Sequence, residues 1–492
     1  MKKTLSILLI LLLNPLVFVF AQSFSPRVME VDLMKEELSL VRSKLIRIHP
    51  EPFHFLSFED FEEKISNLKN RLEPMPVEQW YVHLASLISS LQDGHTVLLF
   101  NQEDRRRYFD QGGKILPFLV QVKDNTRAVL QHHFTNDSTL SAAELLSVNG
   151  NLIGEVLQNM HQLTFGELEV FRNAQITNSF GRMYWLLYGH SDSVTLSVEQ
   201  RNGKLASVTH NCLTEAQYDE FVKSDFPKME QRKAHHMCLT YANNRPVALL
   251  KLNDFNTYKG YRDSIEHTFE TIQQYSIDTL IIDIRGNGGG EHFITETINY
   301  FLLDTAWVLV SKAKIKMSDE FYSVFPKSVR WLAKILPKKP SIKLAAAVMT
   351  NNTKISRVVK VFDPTTKEPS YEIYTRPKQH FSEKHRFKGK VFLLIDRNSY
   401  SMSGMFAAIL KDYNRGVLVG EETGGLANPH GSNVRITLPY SKFTFTVSTS
   451  RAYRPSGFFD HHGVIPDIKI PYEQLRTAQN VETILQLLSK FN

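Results

Sequence analysis

The sequence predicts an α/β protein whose core lies in the second half of the chain. Three observations carry this expectation. From about residue 240 onward, short apolar runs alternate with amphipathic helical stretches, the pattern of a sheet covered by helices. One run, TLIIDI (279–284), passes straight into glycines at 286, 288, 289 and 290. Another, KVFLLID (390–396), leads through Ser399, Ser401 and Ser403 into the helical pattern MSGMFAAILKDY. A serine at such a junction meets the unpaired N–H groups and partial positive charge of a helix start.

The elements follow in chain order. Lys2 and Lys3 precede the apolar run LSILLILLLNPLVFVF, and Val19 and Ala21 stand at small-residue positions before Gln22. This is the layout of a secretory signal peptide over residues 1–21. An uncleaved anchor is the rival reading, opposed by Pro15 and the short apolar core. No cysteine follows the cut, so lipidation is not expected. Residues 22–110 read as a helical module. Met34, Leu38, Val41, Leu45 and Ile48 share one face behind Asp32 as cap. Phe58, Phe61, Ile65, Leu68 and Leu72 repeat the pattern behind Ser57, with Asp60 completing a capping box. A third helix, VEQWYVHLASLISSLQ, ends at DGHT (93–96).

Residues 111–220 are β-rich: KILPFLVQVKD, RAVLQHHF and SVTLSVEQ suit strands, and AAELLSVNGNLIGEVLQNM reads as strand, Asn-Gly turn and helix. The α/β core spans 221–475, with NVRITLPYSKFTFTVSTS as a hairpin. Within it, residues 310–388 are basic, carry Pro-Lys-Lys-Pro at 337–340 and fit the alternation poorly; they read as an insertion or lid. Residues 476–492 suit a C-terminal helix.

Composition narrows the function classes. The 492 residues are 42% hydrophobic and 22% charged, as in an ordinary globular protein. The net charge of +7 is spread along the chain, and no zinc-ligand spacing or basic arm accompanies it, so a nucleic-acid partner is not expected. Cys212 and Cys238 are the two cysteines. They suit one disulfide in an exported protein or two buried thiols, and offer no metal motif. Neither a cofactor nor a metal is expected, nor any membrane span once the signal is removed.

The glycine loop has two readings besides a plain turn. Nucleotide binding would need glycine at 291, where Glu291 stands, and no Walker lysine follows. The alternative is an oxyanion hole, since glycines let backbone N–H groups approach a substrate oxygen closely. Gly288 and Gly289 are its candidate donors, with the Met402 N–H at the helix start. Ser401 is the candidate nucleophile, against the plain role of an N-cap.

Taken together, TLIIDIRGNGGG, then VFLLIDRNSYSMSGMFAAILKDYNRGVLVGEETGG, then HHGVIPDI resemble the S41 peptidases, the tail-specific or C-terminal processing proteases. LQDGHT (91–96) and the β-rich module, whose ELLSVNG is similar to a PDZ domain, are typical companions. The resemblance covers roughly 240–470. It implies a crotonase-like (ClpP/crotonase-type) core, a PDZ-like module, export, and serine endopeptidase action on peptides or proteins. The family's nucleophile matches Ser401; Gly404 stands where relatives often have Glu. One branch uses a Ser-Lys dyad, its lysine fourteen residues after an aspartate matching Asp412. That position is Leu426 here, so the dyad is broken. The tricorn-like branch pairs serine with a histidine matching His95 and a glutamate whose place Asp460 takes. His430, His461 and His462 are rival bases. The alternative to an enzyme is a catalytically inactive S41-like protein that binds peptides or apolar ligands.

Overall fold

The computed structural model describes residues 26–490 except 134–137, 226–235, 324, 351, 353, 364–365 and 367–368. The expected signal segment, 1–21, lies outside the described residues. The centre is a six-stranded sheet in the order Met237–Tyr241, Val247–Leu252, Thr279–Asp283, Lys390–Ile395, Val417–Gly420, Ile468–Lys469. The first pair is antiparallel and the rest parallel. Side-chain alternation divides its strands between two cores. Leu250, Ile282 and Leu393 pack under Phe269, Ile298 and Phe406 from the covering helices. Leu249, Ile281 and Leu394 point the other way, against Ile484 and Leu488 of the last helix, Val481–Leu488. Strands buried on both faces explain why these runs are continuously apolar in sequence.

The expected N-terminal helices form as Val31–Ile48, Phe58–Asn70 and Val77–Ser89. Two details differ from expectation. Asp32 is not the cap: the helix starts earlier, Glu30 occupies the N-cap, and Asp32 sits in the first turn, where its charge suits the helix dipole. Ser57 does cap its helix by accepting the Asp60 N–H at 3.0 Å, but Asp60 returns no bond, being a methylene shorter than the glutamate of a full capping box.

The module after residue 111 contains the sheet Phe118–Val122, Ala128–His133, Glu144–Val148, Ser193–Glu199, Leu205–Asn211. Its Asn-Gly turn has Asn149 and Gly150 both at positive φ, 50° and 82°, as a two-residue hairpin turn demands. A twenty-residue helix that the sequence analysis did not single out, Glu169–Tyr188, covers it. Cys212 is buried, Cys238 is exposed, and both are free, which removes the disulfide alternative.

Two further sheets build the site. Strand Lys312–Lys316 lies between Pro369–Thr375 and Ser450–Tyr453 in a five-stranded antiparallel sheet that also holds Ile355–Phe362 and His430–Gly431. The expected hairpin pairs Val434–Thr437 with Thr444–Val447, and the latter also pairs with Leu98–Leu99. Leu438, Phe443, Phe445 and Val447 are buried in one core with the N-terminal helices and the β-rich module. A hairpin from late in the chain is thus a structural part of the N-terminal half.

Candidate active site

The loop after Lys390–Ile395 separates the three serines by environment. Ser399 is fully buried and spans the turn, its hydroxyl donating to the Ile284 carbonyl at 2.9 Å and accepting the Asp396 N–H. Ser403 is fully buried inside the helix with no hydrogen-bond partner for its hydroxyl. Ser401 opens into a cleft of about 530 Å³. It precedes the helix Met402–Asp412 but makes no cap bond. Its backbone is at φ 56°, ψ −119°, outside the regions a residue with a side chain prefers. Strain of this kind occurs where a turn must aim a side chain rather than cap a helix.

His95 Nε2 lies 2.8 Å from Ser401 Oγ, across 306 residues of sequence. The DGHT loop is held from three sides. Asp93 Oδ1 accepts the His95 N–H at 2.9 Å, while Oδ2 accepts from His49 Nε2 at 2.8 Å, Thr96 Oγ1 and Ser448 Oγ. Thr446 Oγ1 donates to the His95 carbonyl at 2.8 Å. Burial opposes the Asp93 charge, but the bond from His49 and the nearby imidazoles outweigh it and hold the carboxyl well below its usual range. Burial lowers the His95 pKa, and the Asp93 charge only partly restores it; this favours the neutral imidazole, the form that can accept a proton.

The other face of His95 meets Tyr400, not Asp460. The rings stack with centroids 5.3 Å apart, and Tyr400 Oη lies 3.5 Å from His95 Nδ1. Gly94 makes room for this phenol: a Cβ there would fall 1.5 Å from Tyr400 Oη. Phe171 stacks on the far side of Tyr400 at 4.2 Å. Burial, with the nearby Glu167 and Asp93 carboxyls, raises the Tyr400 pKa well above its usual value. Glu167 is itself pushed up to about 8, by burial first and then by Asp93. The expectation that Asp460 steers His95 is corrected: Asp460 accepts from the His462 N–H within its own loop.

The glycine loop is locked against the serine loop. Asp396 Oδ1 accepts the Gly286 N–H at 3.0 Å, and the Tyr400 N–H donates to the Asn287 carbonyl at 3.0 Å. Gly289 is pressed so close that a Cβ would lie 2.8 Å from the Tyr400 carbonyl and 2.9 Å from Ser401 Cβ, at φ 101°. One expected donor is corrected. The Gly289 N–H is occupied by Asn287 Oδ1 at 2.8 Å, an Asx-type turn. Among the described residues the Gly288 and Met402 N–H groups have no hydrogen-bond partner, and both residues line the cleft.

No lysine lines the cleft among the described residues. Leu426 is buried, and Asp412 is paired with Arg454. Of the rival bases, His461 and His462 are exposed and outside the cleft lining. His430 is in the wall, 2% exposed, with neither ring nitrogen hydrogen-bonded. An apolar part of the wall comes from Leu309, Val310, Ala313, Met405 and Ala452, beside polar groups that include Glu291, Asn433 and Arg451; Val310 and Ala313 make residues 310–388 part of the cleft wall at their start.

His49, Asp93 and His430 place ligand atoms within 4.8 Å of one another, but their protons oppose a metal. The Glu51 N–H donates to His49 Nδ1 at 3.0 Å, so His49 carries its proton on Nε2 and spends it on Asp93. A metal there would require the doubly deprotonated ring.

The family model described as Peptidase family S41 matches residues 246–470, the segment holding the glycine loop, Ser401 and the strands beneath them. Over that segment the chain is similar to peptidase family S41. A curated relative, the tail-specific protease of Haemophilus influenzae (strain ATCC 51907 / DSM 11121 / KW20 / Rd), is 23% identical over 185 residues, 37% of this chain and 18% of the relative. The match therefore spans under a fifth of that relative's length. Among solved structures, mature CPAF complexed with lactacystin superposes with a TM-score of 0.63 at 16% identity, covering 94% of this chain and 97% of that one. Mature CPAF gives 0.63 and 16%, covering 94% and 96%. These likenesses extend the shared mixed α/β fold over nearly the whole chain.

Asp93, His49 and Tyr400 are not among the site residues expected from sequence. Asp93 had a local signal, since an aspartate two residues before His95 is placed to accept its N–H. Tyr400 had none beyond its position between two serines.

Proposed function

We propose that this chain is an exported serine endopeptidase of the S41 type acting on peptides or proteins, with Ser401 as nucleophile and His95 as base. The observation that carries the reading is the 2.8 Å contact between His95 Nε2 and Ser401 Oγ at the edge of an open cleft. Neutral His95 accepts the Ser401 proton through Nε2 as Oγ attacks the scissile carbonyl. The developing oxyanion takes hydrogen bonds from the Gly288 and Met402 N–H groups. Imidazolium then donates its proton to the leaving amine, and water repeats the sequence on the acyl-enzyme. With Nε2 accepting, the His95 proton is on Nδ1 and faces Tyr400 Oη. Tyr400 thus positions the ring, while the Asp93 charge favours the imidazolium. A protein that merely binds peptides needs no such contact, and that alternative is not favoured.

Export rests on the residues 1–21 pattern; no helix among the described residues is long and apolar enough to cross a membrane. The crotonase-like reading of the core and the PDZ-like reading of the β-rich module belong to this proposal. In the latter a substrate peptide would add along a sheet edge. The test is incubation with an unfolded protein such as casein, together with labelling by a fluorophosphonate. Fragments and a label mapped to Ser401 are expected; a label on Ser403, or intact casein at high enzyme concentration, would sink the reading.

Two expectations separate the roles within the site. Gly288→Val should leave the fold intact, because a Cβ at 288 meets nothing within 4 Å. Its bulk enters the space the substrate carbonyl needs, so kcat/KM should fall on the order of a hundredfold. Unchanged kinetics with an unchanged melting temperature would remove Gly288 from the oxyanion hole. Separately, Tyr400→Phe should lower kcat about tenfold with KM nearly constant, whereas Asp460→Asn should change neither by more than about twofold. The reverse ranking would restore Asp460 as the orienting group.

A further inference from the structure

We propose that the helix Lys327–Ile335 is a docking surface for anionic phospholipid bilayers. Most amphipathic helices of a folded protein turn their apolar side inward; this one exposes it. Trp331, Leu332 and Ile335 are 63%, 38% and 58% exposed, while Ala333 on the opposite side is buried. Val329 packs on the cluster of Phe321, Phe325 and Ile342, so the helix has its inward contacts and still leaves its bulkiest apolar groups in water. Lys327, Trp331 and Ile335 recur every four residues and form one ridge, with Lys334 beside it. Lys327 and Lys334 are both exposed.

Charge selects the occupant. Residues 327–343 hold Lys327, Arg330, Lys334, Lys338, Lys339 and Lys343 and no Asp or Glu. A surface that must accept indole and isoleucine side chains and also neutralise a run of cations is one with hydrocarbon lying just beneath negative headgroups. Basic helices with Trp and aliphatic residues on one side bind in the plane of such an interface, at a strength that follows anionic lipid content and salt. Isolated exposed apolar residues are ordinary; three on one nine-residue helix within a purely cationic stretch are not. The platform is tied to the cleft through one strand: Ala313 lines the cleft, and Ile315, on the same strand, packs in the cluster beneath the helix.

Tryptophan fluorescence provides a site-specific test. The chain has four tryptophans; Trp80, Trp185 and Trp307 are at most 8% exposed, so quenching by brominated lipid reports Trp331. The N-terminal apolar run contains no tryptophan and is shared by every variant. The full chain is mixed with phosphatidylcholine vesicles, with or without about one-third phosphatidylglycerol. Expected are a blue shift and quenching on the anionic vesicles alone, both suppressed by high salt. Lys327→Glu/Lys334→Glu should abolish the quenching while retaining Trp331. Trp331→Ser/Ile335→Ser should weaken vesicle partitioning about tenfold, and hydrolysis of a soluble peptide should be unchanged in both. Equal quenching on neutral vesicles, or none on anionic ones, would overturn the proposal. So would a dimer seen by sedimentation without lipid and lost in Trp331→Ser/Ile335→Ser, which would assign the surface to a second copy of the chain.

Discussion

His95→Ala and Ser401→Ala are each expected to lower kcat by about four orders of magnitude or more, and the double variant to be no worse than either alone. The two groups act as one device, since the serine is nucleophilic only while the imidazole 2.8 Å away takes its proton. Both variants should fold, because each removes a side chain bordering an open cleft. The pH profile adds a sign that a structural role would not produce. Burial holds the His95 pKa below its usual value, so the base is neutral above about 6.5. Activity should therefore be level near neutrality and fall as pH drops, with a midpoint below about 6.5. A lysine base would instead give an activity that rises with alkaline pH. The check is kcat/KM from pH 4 to 9 on one peptide, with the melting temperature followed over the same range to separate protonation from unfolding. Full activity in His95→Ala would direct the search to His430.

Asp93→Ala is expected to be the most destabilising single change near the site. It would strand the His49 Nε2–H and the His95 N–H, and strip an acceptor from the Thr96 and Ser448 hydroxyls. Hydroxyls can turn to new partners, but a buried imidazole N–H and a backbone N–H cannot. A loss of about 2–6 kcal/mol follows from leaving these two buried donors without an acceptor, at about 1–3 kcal/mol each. It should appear as a lower denaturant midpoint, with activity falling because His95 loses its anchor. Asp93→Asn isolates the electrostatic part. The aspartate charge raises the His95 pKa against burial, so the residual activity of the amide variant should persist to lower pH than that of the wild type. An acid limb that does not move, or an Asp93→Ala protein as stable as wild type, would leave Asp93 without the role assigned to it.

The central sheet was legible because its strands are buried on both faces. TLIIDI and KVFLLID have no competing reading once helical stretches alternate with them, and they form Thr279–Asp283 and Lys390–Ile395. The meeting of His95 with Ser401 was not readable from spacing. It depends on Val434–Thr437 and Thr444–Val447 joining the N-terminal core, a long-range packing event with no local signature; a family resemblance was needed to suggest it. The third group was misassigned for a related reason. A carboxylate was sought where relatives keep one, whereas the space beside His95 is filled by Tyr400, admitted by the missing side chain of Gly94. The misplacement of Gly289 was smaller in scale: which of two adjacent N–H groups is free depends on the Asn287 side-chain rotamer, which sequence does not specify.

The late hairpin has a consequence for when activity can begin. Its strand Thr444–Val447 is built into the same core as the first helices of the protein. During synthesis the N-terminal half must therefore wait, with part of its apolar interior uncovered, until nearly the whole chain has emerged. Pairings this distant form slowly, because loop closure precedes any compensating contact. Until then His95 has no serine beside it, and Ser401 has no base. On the proposed reading, the chain is inert while nascent or partly unfolded and acquires its chemistry only on completing its fold.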